Sequence, residues 1–320
     1  MEQQFAHYGK LLLSHLPRLD ALLALALLLC LSGLPVLVAF GQGLAHSSGR
    51  SAYDKCARQL GHLGCLLGLV AILAGGVALG LQYRVMPAPD MKNLAALENF
   101  LPLLMVGGWL CVAISVLLNS AHAGLLQSRR ALPRRRPLLG LLAVLASAAA
   151  VYAALLYLYL RAAAPIAPGP PDLRDLLIPV AGAPFWAAIS CAPFAALALA
   201  GGFGALWLML RRIADDYGRD HYNLVIPWCA GWARNSWLLL WLLVAARASL
   251  RVFQLHQTTG GALDWTRFAP DCAVLVALLL PGLLWLGVSR STAPLRAKPA
   301  AILAPLWAAG CLSLLDLGLR

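Results

Sequence analysis

The sequence predicts an all-α polytopic transmembrane bundle, a single integral membrane domain covering residues 1–320. Three observations carry this reading. Hydrophobic residues make up 61% of the chain and charged residues only 12%, against roughly 25% charged residues in soluble domains. Several apolar runs reach the roughly 20 residues a helix needs to cross the hydrocarbon core. Those runs are rich in Leu and Ala and lack the two-residue alternation of a membrane barrel strand. Because lipid forces every backbone polar group to find an internal partner, helices are then the spanning option.

Eight spans are expected, at about 19–40, 59–82, 100–126, 138–160, 187–210, 224–246, 269–289 and 300–318. The first has small residues at a cleavage-like spacing, Gly43 and Ala45, but its apolar run Ala21–Phe40 is too long for the core of a secretory signal and is read as a span. The second carries Gly64 and Gly68, then Gly76 and Gly80, a small-xxx-small spacing that lets helix backbones approach. Spans three and four flank the basic loop containing Arg129, Arg130, Arg134, Arg135 and Arg136. Span five follows a segment, 176–211, that is broken by Pro179, Gly182, Pro184 and Pro193 and is too short for two crossings. A short interfacial or re-entrant piece followed by one span is expected there. No repeat of 20–50 residues and no long linker divides the chain.

Orientation follows from basic residues in the loops. Those after spans one, three, five and seven hold 14 Lys and Arg, and the opposite side holds 10. The positive-inside bias places both termini outside the cytoplasm, in a bacterial-type inner membrane. The formal charge of +12 suits loops on anionic head groups, and no soluble domain exists to carry nucleic-acid binding. Eight cysteines stand singly, without a CxxC pair, which argues against a disulfide framework, a zinc knuckle or c-type haem.

Three constellations bear on chemistry. Residues Pro227–Trp241 read PWCAGWARNSWLLLW, and Arg234 within them sets a guanidinium inside an apolar span. Such a charge costs about 3 kcal/mol near the bilayer centre, so it faces a partner, a ligand or water. Counted from the start of span six, Arg234 lies ~16 Å deep at 1.5 Å per residue. Trp228, Trp232, Trp237 and Trp241 recur along what reads as one broad helical face, so Trp232 and Trp237 are candidates to flank a flat ligand beside Arg234. A haem propionate, a quinone oxygen or an anionic transport substrate would suit the guanidinium. The bland alternative is a buried acceptor, Asn235 or Asp271.

His62 and His122 are expected at similar depth on adjacent helices, where two imidazoles could ligate the iron of a b-type haem beside the glycines of span two. His7, His15 and His256 read as solvent-facing. Asp215, Asp216 and Asp220 form one carboxylate cluster. It could hold Mg²⁺ against a diphosphate, or pair locally with Arg211, Arg212 and Arg219, and the local pairing is the expectation.

The segment SGRSAYDKCARQLGHL and the glycine-bearing span after it, through Gly49, Tyr53, Asp54, Lys55, Ala57, Arg58, Gly61 and Gly75 or Gly76, resembles the first cytoplasmic loop and second helix of subunit I of cytochrome bd quinol oxidases. About thirty residues carry the likeness. The family's axial histidine of the first helix falls near Ala24, where this chain has Leu and Ala, and no quinol-binding loop follows span six. The resemblance implies a relative of the respiratory membrane scaffold, an electron-transfer or quinone-interacting subunit with haem b and other membrane subunits as partners. The broken 176–211 segment and Arg234 leave a second reading, a transporter or permease component with Arg234 as substrate anchor, and the small loops a third, a non-catalytic membrane-anchor subunit.

Overall fold

A computed structural model describes residues 2–85, 95–127, 135–163, 177–180, 183–258 and 265–314. Among these residues there is no strand. The helices are α1 (Glu2–Ser48), α2 (Ser51–Val85), α3 (Ala95–Gln127), α4 (Arg135–Ala163), α5 (Pro184–Arg211), α6 (Arg219–Thr258), α7 (Trp265–Arg290) and α8 (Lys298–Leu314). Helices α1 to α7 each contain a stretch long and apolar enough to cross a membrane, compatible with an integral membrane protein. The expected eighth span corresponds to α8, of which 17 residues are described. Arg129, Arg130 and Arg134 of the basic loop lie outside the described residues.

The core is built on α1, α5 and α6, and glycine decides how closely they meet. A Cβ at Gly33 of α1 would stand 2.3 Å from the Ala196 carbonyl oxygen of α5, and one at Gly201 of α5 would stand 2.7 Å from the Ala233 nitrogen of α6. Helix pairs in lipid gain no hydrophobic drive from leaving water. Close backbone approach and the dispersion contacts it permits supply the attraction instead. Leu29, Leu34, Phe185, Leu199, Ile226 and Trp237 fill the resulting interior.

Helices α2, α3 and α4 form the outer side. The expected packing role of the span-two glycines is visible at Gly68, where Val116 of α3 takes the space of the missing side chain; Gly75 receives the Trp109 indole in the same way. Gly76, by contrast, faces open space. The segment before α5 is irregular at 177–180, tied down by Tyr152 Oη donating to the Leu177 carbonyl at 2.7 Å and Trp186 Nε1 donating to that of Pro179 at 3.0 Å. One long helix then follows, with Pro184 in its first turn, where its missing N–H costs nothing.

Helices α6 and α7 run antiparallel. Trp237 Nε1 donates to the Leu278 carbonyl at 2.6 Å and Trp241 Nε1 to that of Leu275 at 2.9 Å, while Arg234 meets Ser289. Partner numbers fall as α6 numbers rise. Ser289, which the extended Arg234 side chain reaches, lies one residue before the end of α7, whereas α6 continues from Arg234 back to Arg219, about 22 Å at 1.5 Å per residue. That extension packs on α1, α2 and α5, with Trp228 against Tyr53 at 5.7 Å and Trp232 against Phe40 at 4.8 Å.

Candidate functional site

Arg234 stands on the edge of α6 that faces α7. Its Nη1 donates to Ser289 Oγ at 3.2 Å, and its Nε and Nη2 both donate to Asn235 Oδ1, at 2.9 and 2.8 Å. Every partner is neutral, and among the described residues no carboxylate pairs with this guanidinium. The expected acceptor Asn235 is thus found. The side chain of the other expected acceptor, Asp271, lies outside the described residues.

Ser289 belongs to the last turn of α7 and is followed by Arg290 and the 3-10 turn Pro294–Arg296, which packs on α6. On its α7 side the Arg234 guanidinium therefore reaches the end of a helix, while Arg234 itself lies near the middle of the apolar stretch Arg219–Gln254 of α6.

The tryptophans divide between two sides of α6. At 100° per residue the five-residue step from Trp232 to Trp237 turns the helix by about 140°. Trp228 and Trp232 consequently meet Tyr53 of α2 and Phe40 of α1, while Trp237 lies buried edge-on against Trp285 of α7, with ring centroids 5.7 Å apart. Trp232 and Trp237 do not share a face on which one flat ligand could lie beside Arg234.

His122 is buried, with Nε2 3.0 Å from Gln42 Nε2 of α1 and its ring beside Gly140 of α4. His62 is exposed on α2. An iron ligated by His122 Nε2 would have to displace Gln42, and a macrocycle between α2 and α3 would have to displace Val116 and Trp109 from the glycine positions they fill. The side chains of His7, His15 and His256 lie outside the described residues.

No family model matches the chain, and no curated protein matches it. The thirty residues of the resemblance build one local feature, the α1–α2 turn and the docking of α2. Gly49 turns the chain at φ +66°, a conformation that costs other residues their Cβ clearance. Tyr53 packs on Trp228, Ala57 on Gly41, Lys55 lies over the Tyr217 ring at 4.8 Å, and Asp54 pairs with Arg58.

A second polar group was only partly legible in the sequence. Gln59, buried on α2, donates from Nε2 to Asp215 Oδ2 at 2.9 Å and to Tyr222 Oη at 3.4 Å, and its Oε1 lies 3.3 Å from His221 Nε2. Tyr222 Oη donates to the Asp215 carbonyl at 3.1 Å. Arg211 grips the same carboxylate in a fork, Nε to Oδ2 at 3.0 Å and Nη2 to Oδ1 at 2.8 Å. This guanidinium holds the Asp215 carboxyl below the usual carboxylate range against the opposing effect of burial, and Gln59 adds to the lowering. The network clamps the α5–α6 connection onto α2. Local pairing is thus the observed role of Asp215, while Asp216 and Asp220 are exposed. Among the described residues no three His, Cys, Asp or Glu side chains converge as a metal site. No sequence pattern singles out Gln59, which stands among Asp54, Lys55, Arg58 and His62 at the start of α2.

Proposed function

We propose that this chain is a multi-pass integral membrane protein that holds an anionic ligand at Arg234, as a transporter or permease component. The carrying observation is the set of neutral partners around a guanidinium placed on a helix that is apolar on both sides of it. An arginine retained within an apolar helix at a cost of about 3 kcal/mol, with its charge uncompensated by any described carboxylate, is suited to meet a negative group supplied from outside the chain. Its planar fork matches phosphate or carboxylate oxygens, and Asn235, exposed beside it, can yield its place to them. The basic loops favour an inner-membrane orientation with both termini outside the cytoplasm.

The test is ligand-dependent stabilisation. Purified protein in detergent is heated with inorganic phosphate, sulfate, glycerol 3-phosphate or small carboxylates. At least one anion is expected to raise the unfolding midpoint of the wild type, with the shift lost in Arg234→Ala and partly kept in Arg234→Lys. No shift with any of them, or the same shift in Arg234→Ala, overturns the reading.

A further inference from the structure

The outer seam between α6 and α7 continues the Arg234 site toward lipid. At 100° per residue, Leu238 and Leu242 lie about 40° and 80° round from Arg234 on α6, moving from the α7 contact toward the exposed face. On α7, Leu279 and Leu283 lie within about 20° of the direction of Arg290. Because the helices are antiparallel, these two stripes border the same outward seam. All four leucines are exposed, from 39% at Leu279 to 61% at Leu283, and Arg290 is exposed at the top of its stripe. Neither arginine has an ion pair among the described residues.

We propose that this seam is a binding site for an anionic phospholipid, its phosphate held between Arg234 and Arg290 and an acyl chain laid along Leu238, Leu242, Leu279 and Leu283. Charge complementarity selects the headgroup: Arg290 follows Ser289, the residue that the Arg234 guanidinium reaches, and the forked geometry of arginine suits phosphate oxygens. The leucine walls select an amphiphile over a soluble anion, because a free phosphate has no use for them. Arg290, Arg296 and Lys298 follow one another in sequence at the end of α7, and the hydrogen bond to Ser289 brings the Arg234 guanidinium to that helix end. This inference rests on the reading of Arg234 as an anion site and names its ligand class.

The experiment titrates delipidated full-length protein in detergent with phosphatidylglycerol and with phosphatidylcholine of the same chains, and counts bound lipid by native mass spectrometry. Phosphatidylglycerol is expected to bind more tightly, by about fivefold for each arginine engaged. The preference should fall in Arg290→Gln and in Arg234→Gln, survive in Arg234→Lys, and be unchanged in Arg212→Gln. Arg290 is exposed, so its variant keeps the test sound should Arg234→Gln fold poorly. Equal binding of the two lipids, or a preference that ignores both arginines, overturns the lipid site. Should glycerol 3-phosphate still stabilise the wild type through Arg234 while the lipids bind alike, the lipid inference fails and the anion reading stands. Absence of both effects removes both.

Discussion

Arg234 Nη1 donates to Ser289 Oγ across the α6–α7 contact at 3.2 Å, and Ser289 in turn donates to the Leu286 carbonyl at 3.1 Å. The pair ties a charge in the middle of the longest described apolar segment to the last turn of its neighbour. Hydrogen bonds between membrane helices average about 0.6 kcal/mol, far below the roughly 3 kcal/mol that such a charge costs within the bilayer. Stability alone does not account for the arginine. Replacing it by Leu is therefore expected to leave the thermal midpoint of the detergent-solubilised protein unchanged or raised, while abolishing the response to anions. A large drop in midpoint for Arg234→Leu would mean that the residue is a structural clamp.

Gln59 joins three elements through one amide. Its removal leaves Asp215, His221 and Tyr222 short of partners in a buried place, and an orphaned buried polar group costs about 1–3 kcal/mol. Gln59→Leu should accordingly lower stability to mild denaturant or heat by that order. Gln59→Glu should do worse, because it sets a second carboxylate beside Asp215. An unchanged midpoint in Gln59→Leu would show that the network contributes nothing net.

The same carboxylate gives a pH dependence. Because Arg211 lowers the Asp215 pKa in the folded protein, the ionised form is favoured by folding. Its contribution is fully present above the unfolded value of about 3.9 and is lost as pH falls through the lower folded value. The stability difference between wild type and Asp215→Asn should be constant from pH 7 to about pH 5 and shrink below about pH 4. A difference that grows on acidification contradicts the assignment.

Glycine substitutions separate close approach from mere presence. Gly33→Ala would place a methyl group against the Ala196 backbone, and overpacking of this kind costs about 1–3 kcal/mol. Gly231→Ala, with no atom within 4 Å of the added carbon, should be neutral or slightly stabilising. Unfolding midpoints of the two variants check the contrast, and equal effects would refute it.

Composition and run length by themselves determined an all-helical protein of repeated apolar helices, since those properties depend on how many apolar residues follow one another and not on what they touch. Arg234 also stood out in sequence, as a charge where hydrocarbon was expected, and so did the chance of a local partner in Asn235. Tertiary structure alone decided what it reaches: its guanidinium meets Ser289 in the last turn of α7, while α6 runs on. It also split the tryptophans, since a five-residue step in one helix turns Trp237 away from Trp232 toward a different neighbour. Gln59, more than 150 residues before Asp215 and Tyr222, meets them only because α2 packs against the α5–α6 connection and the start of α6. A pattern along one helix gives directions around its axis, and only the packing of helices gives those directions partners.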